Sequence, residues 1–169
     1  MDFVSPLLDF FSIFPAWFVV LMISAVPIIE LRGSIPIAID FFGMNPAAAF
    51  ILAAAGNILP IFLLFSLLEP ASVFLSPKSP FFEKMFDRLL KREEKQGRQE
   101  IFRNLALALF AALPLPVTGA WIAAAAAIVL RLDLRYAFIS IFAGVIAAGI
   151  LVTLLTIWGV QMWGGVFNP

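Results

Sequence analysis

Pro27-Ile28-Ile29-Glu30-Leu31-Arg32-Gly33-Ser34-Ile35-Pro36 places an acid, a base and two helix-breaking prolines between apolar arms. If both arms enter a bilayer, this polar island is carried to membrane depth, where ionisable residues are costly and mark cavities or transport pathways. Irregular backbone survives there only where protein or a water-filled cavity satisfies its N–H and C=O groups. The arms are short. Residues 16–29 run apolar only as far as Pro27 and Glu30, and 34–42 is shorter still before Gly43-Met44-Asn45-Pro46 turns the chain. A spanning helix takes about 20 apolar residues. The pattern describes a re-entrant helical hairpin, or one long broken helix.

The rest of the chain agrees with a membrane setting. At 63% hydrophobic residues and a mean hydropathy of +1.05, it is too apolar for a single soluble core. An all-α integral membrane protein follows. The formal net charge of zero conceals a cluster, since residues 78–103 hold eight Lys and Arg. Without Cys there is no disulfide or thiolate site, and without His the commonest metal ligand and general base is missing. No cofactor, metal, nucleic-acid partner or enzymatic activity is expected, because no nucleophile or acid–base set accompanies Glu30 and Asp40. Residues 1–14 contain Asp2 and Asp9 but no Lys or Arg, so they lack the basic start of a signal peptide and read as an interfacial part of the mature chain.

Residues 47–68 form a convincing span interrupted by Gly56, Asn57 and Pro60. Asn57 needs a partner inside the bilayer, so it is placed facing the hairpin as a hydrogen-bonding strut, with a ligand role second. Over 81–95, Phe82, Met85, Phe86 and Leu89 recur at helical spacing opposite Glu83, Lys84, Asp87, Arg88 and Lys91, the mark of an amphipathic surface helix. The first pattern then recurs. A short arm at 105–113, a break at Pro114-Leu115-Pro116-Val117-Thr118-Gly119, a second arm at 120–130 and the turn Arg131-Leu132-Asp133-Leu134-Arg135 lead into a span from 136 to about 158. Aligning Gly33 with Gly119 brings Gly56 against Gly144 to within two residues. One membrane domain, 1–169, is therefore read as repeat 1 (about 15–68), an amphipathic cytoplasmic segment (about 78–103) and repeat 2 (about 104–160).

Charge selects the topology. With 78–103 cytoplasmic, hairpins put the arginine-bearing 131–135 turn on that same side and the uncharged 44–46 turn outside, as the positive-inside rule requires. Full crossings would put the arginines outside. In the hairpin arrangement each repeat crosses once, so the second copy is inverted, and inverted repeats with discontinuous helices are the architecture of many secondary transporters.

Glu30-Leu31-Arg32-Gly33-Ser34-Ile35-Pro36, then Gly56-Asn57, then Pro114-Leu115-Pro116-Val117-Thr118-Gly119-Ala120-Trp121 together resemble the two signatures of the small multidrug export protein family, with Val117 where Gly is expected. That family is in turn similar to the DedA superfamily, with its paired re-entrant loops. The resemblance covers roughly residues 23–158. It implies a multi-pass protein of the cell membrane. Its name implies drug export, while the DedA relation implies movement of phospholipids or polyprenyl phosphates, sometimes driven by protons.

Candidate substrate- or ion-binding residues are Glu30, Arg32, Gly33, Ser34, Asn57, Thr118, Gly119 and Trp121, with Asp40 a lesser candidate read first as solvated. Glu30 and Arg32 make either a proton or ion site with a counter-charge, or a salt bridge holding the hairpin tip. A half-helix starting near Ser34 beside Arg32, opposed by one at Thr118 and Gly119, would give an electropositive centre suited to an anionic headgroup. The function expected from sequence is thus a membrane transporter, with proton coupling left open, moving an anionic lipid or polyprenyl phosphate. Export of small cationic drugs, or a non-transport assembly role, is the alternative. Membrane lipids, a small-molecule or lipid substrate, protons and a second copy of the chain are the partners this allows. Ser140, Gly144 and Ala148 mark close helix packing. Trp17, Trp158 and Trp163 read as interfacial anchors. Arg131, Asp133 and Arg135 fix topology, with headgroup binding second.

Overall fold

The computed structural model describes residues 14–75, 84, 98–112, 119–130 and 132–163. Among these the fold is helical with no strand: α1 (Ala16–Ala25), α2 (Glu30–Pro36), a π-helical turn (Ile37–Phe41), α3 (Pro46–Leu75), α4 (Arg98–Ala112), α5 (Ala120–Val129) and α6 (Leu134–Trp163). Residues 1–13, most of the 81–95 amphipathic segment and the break at 113–118 lie outside the described residues.

Helix length sorts these elements. The ten residues of α1 and α5 and the seven of α2 reach roughly 15 and 10 Å at about 1.5 Å per residue, against a hydrocarbon core of about 30 Å. Only α3 and α6, each of 30 residues, contain stretches long and apolar enough to cross, at Pro46–Leu68 and Leu134–Met162. Just 33% of each apolar window is buried, whereas the core helix of a soluble protein would be mostly covered. Ile51, Leu59 and Leu67 on α3, and Ile139, Leu154 and Leu155 on α6, are at least half exposed. A helix apolar all round with its side chains turned outward suits lipid as its solvent.

The break in the first arm is shorter than the sequence implies. Pro27 cannot continue α1, and Val26 adopts an extended conformation while its carbonyl accepts the N–H groups of Ile29 (3.2 Å) and Glu30 (3.0 Å). Helix then resumes at once, at Glu30. Ser34, expected to open the returning half-helix, is therefore inside α2. Pro36 does not end the arm, because its ring costs only the bond to the Arg32 carbonyl and the next turn widens into a π-helix closed by Phe42 N–H to Ile37 O at 3.1 Å. Gly43, at φ +60°, then stops the helix in the left-handed conformation, with Met44 N–H on Ala38 O at 2.9 Å. Asn45 caps α3, its Oδ1 accepting Ala47 N–H at 2.9 Å, and Pro46 fills the first helical position. Asp133 does the same for α6, with Oδ1 accepting Arg135 N–H at 2.9 Å. An acid just before an apolar run is a cap signal, and it went unread in the 131–135 turn.

The chain divides into two compact units, Met1–Asn57 with Ala147–Pro169, and Ile58–Ile146. In the first, α1 packs along α2 and the π turn. The start of α3 seats on α1 at Gly56, where any Cβ would run into Ser24 Oγ and the Leu21 carbonyl oxygen. In the second, α4 packs on α5, and α6 meets α4 at Gly144, where a Cβ would strike the Ala108 carbonyl oxygen and lie 2.7 Å from Ala111 Cβ. Gly144 thus makes the close approach expected of the small-residue stripe.

Candidate functional site

All four of the buried polar residues among those described belong to the first unit: Ser24, Glu30, Ser34 and Asn57. Glu30 and Ser34 sit one helical turn apart on α2, on the same buried face as Leu31 and Ile35. Asn57 follows the glycine that seats α3 against α1. Burial alone would make Glu30 notable, since it is 4% exposed. Its backbone adds to this, because φ is +50°, the one positive value at a described residue other than glycine. The left-handed conformation costs an L-residue roughly 1–2 kcal/mol, and such strain gathers at functional sites. Arg32, half-buried, lies within electrostatic reach of Glu30. Side chains two apart on a regular helix point in different directions; the left-handed backbone at Glu30 lifts that restriction.

Hydrogen bonding separates these groups further. Ser24 Oγ donates to Leu21 O (2.9 Å), Thr153 Oγ1 to Gly149 O (2.7 Å) and Thr156 Oγ1 to Val152 O (2.8 Å), so each hydroxyl is satisfied by its own helix. Ser34 Oγ, Asn57 Oδ1 and Asn57 Nδ2 are buried and have no hydrogen-bond partner among the described residues. Leaving such a group unsatisfied costs about 1–3 kcal/mol. The strut role read for Asn57 thus has no hydrogen bond among the described residues to support it. Pro60 adds another acceptor in that turn, because it has no N–H to give the Gly56 carbonyl four residues back.

The second break contributes differently. Gly119 takes φ +147°, a conformation open essentially to glycine alone, and starts α5 with Ala123 N–H on its carbonyl at 3.0 Å. Thr118 lies outside the described residues. Trp121 is partly covered, and its buried Nε1 has no hydrogen-bond partner. Gly119 and Trp121 belong to the second unit, whereas Glu30, Arg32, Gly33, Ser34, Asp40 and Asn57 belong to the first. Asp40 is half-buried in the π turn. Trp17 and Trp158 are more than half exposed, as membrane anchors would be. Ser24 was missed in the sequence, where a lone serine in an apolar arm carries no signal of its own.

Among the described residues no group of three or more His, Cys, Asp or Glu could hold a metal ion. What the described residues of the first unit offer is the buried Glu30 carboxylate, the Arg32 guanidinium, and the Ser34 hydroxyl and Asn57 amide. Two long apolar helices and short apolar helices beside them mark an α-helical membrane protein, and its described first unit buries an acid. Residues 30–151 match the family described as "Putative small multi-drug export protein", and the chain belongs to that family. The match begins at Glu30 itself. No curated protein and no solved structure matches the chain.

Proposed function

We propose that this protein exports small organic cations across the membrane in exchange for protons, with Glu30 as the group both compete for. The observation that carries this reading is Glu30 itself, an acid that is buried and held in a strained backbone conformation at the mouth of α2. A carboxylate in that position needs a neutralising partner, since an unpaired buried charge costs several kcal/mol. Arg32 supplies one in the unloaded state. A proton or a cationic cargo supplies it otherwise, and one carboxylate cannot hold both, which is the condition for exchange. Ser34 and Asn57 would provide hydrogen bonds to the cargo that the protein itself does not use.

The family description favours this cargo over an anionic lipid. So does the position of Ser34, because the electropositive centre inferred from sequence needed a helix to start there, and α2 instead opens on an acid. The short lengths of α1, α2 and α5 support re-entrant arms, and with them the inverted-repeat topology.

Proteoliposomes loaded with a cationic dye test the proposal. The wild type should move the dye in proportion to an imposed pH gradient, and Glu30→Gln should abolish gradient-driven movement, as expected for losing the buried acid. Equal rates in the two proteins, or Arg32-dependent movement of a labelled anionic phospholipid without dye transport, would overturn it.

A further inference from the structure

A second feature lies in the other compact unit. A cavity of about 420 Å³ is lined by Phe62, Phe65 and Ser66 of α3 and by Leu134, Arg135, Phe138 and Ile139 of α6. Its walls are aromatic and aliphatic, with the Phe62 and Phe138 rings in edge contact at 5.8 Å. It holds one cation, Arg135, among its lining residues. Asp133 is near in sequence, but one of its carboxylate oxygens is occupied in capping α6 through Arg135 N–H.

The cavity also lies at one end of each candidate span. Arg135 is the second residue of the Leu134–Met162 span, and Ser66 lies just inside the end of the Pro46–Leu68 span. Both ends meet at the cavity, so it opens where hydrocarbon gives way to headgroups. That span of α6, 29 residues, is roughly 43 Å long at about 1.5 Å per residue and exceeds a core of about 30 Å, so a helix end carrying a charge such as Arg135 has length to spare for reaching the headgroups.

We propose that this cavity is a binding site for one anionic phospholipid, its phosphate on the Arg135 guanidinium and Ser66 hydroxyl and the start of an acyl chain against Phe62, Phe65 and Phe138. Arginine grips phosphate with two parallel hydrogen bonds, strengthened by the positive end of α6. The lining contains no acid to receive the ammonium of a zwitterionic headgroup, which selects for a lipid of net negative charge. The apolar walls select against a free soluble anion.

Native mass spectrometry of the purified full-length protein with phosphatidylglycerol or phosphatidylcholine reads the site directly. Phosphatidylglycerol should be retained preferentially, and Arg135→Gln should weaken that retention roughly tenfold, the scale of a lost charge-assisted hydrogen bond. Arg135→Lys, which keeps the charge and tests folding independently, should fall between the two. Phe138→Ala should also weaken retention, while Lys84→Gln should leave it unchanged. Equal retention of both lipids, equal retention by wild type and Arg135→Gln, or displacement by glycerol phosphate as effective as by short-chain phosphatidylglycerol would overturn the proposal.

Discussion

Two short helices follow the two breaks of this chain, and their buried faces are chemically opposite. On α2 the buried positions are Glu30, Leu31, Ser34 and Ile35; on α5 they are Ala120, Ala123, Ala124 and Ala127. Alanine at every buried position loses no side-chain entropy, carries no polar group and permits close approach of neighbouring backbone. It has no chemistry to offer. The α2 face carries an acid in a left-handed conformation and a hydroxyl with no bond, features that lower stability and that packing alone does not explain. Among the described residues both halves end in short helices followed by one long span, while the four polar residues buried as a whole all lie in the first unit. Similarity of pattern does not carry similarity of role.

If α5 serves packing alone, enlarging its face should damage the fold most. Ala123→Leu places a branched side chain where nothing is exposed, and should destabilise by up to about 3 kcal/mol, the upper end for overpacking. Gly56→Ala should cost a similar amount, because its Cβ would meet the backbone carbonyl of Leu21, which cannot swing aside as a side-chain tip can. Thermal unfolding of the detergent-solubilised variants measures both. A fully stable Ala123→Leu protein would mean that the α5 face borders open space, and the contrast with α2 would fail.

A smaller effect isolates the strain at Glu30. Within helices alanine is normally more favourable than glycine by about 1 kcal/mol. At φ +50° the order should reverse, with Glu30→Gly more stable than Glu30→Ala by about 1 kcal/mol, since both variants lose the same carboxylate and differ only in tolerance of the left-handed backbone. Chemical denaturation of the two proteins side by side decides it. Alanine winning would remove the strain from the account of the site.

Much of the architecture was legible because hydrophobic run length and turn residues act locally. Gly43-Met44-Asn45-Pro46 terminates one helix and caps the next through its own side chains and backbone, so the turn could be read without tertiary information. The extent of the first break could not. Pro27 and Pro36 look alike in sequence, yet one ends a helix and the other is absorbed by a π turn, a difference set by the surrounding packing. Glu30 was singled out because charge inside an apolar run is expensive wherever it lies. Asn57 is buried, as an amide inside an apolar span suggested, but a sequence shows that an amide needs a partner and not whether one is there. The Phe62, Phe138 and Arg135 cavity was invisible for a related reason: its two walls are more than 65 residues apart in the chain.

The central claim is that the polar interior of the first unit is kept for function at a cost in stability, and Asn57 tests it most directly. Its amide is fully buried without a hydrogen bond, so Asn57→Leu, of nearly the same size, removes an unsatisfied group of about 1–3 kcal/mol. Thermal stability and gradient-driven dye transport should be measured on the same preparation of this variant and the wild type. The account predicts a melting temperature equal to or above wild type together with transport reduced at least tenfold, as for loss of a bond made to cargo. A lower melting temperature with transport intact would contradict it, and would return Asn57 to the part of a structural strut.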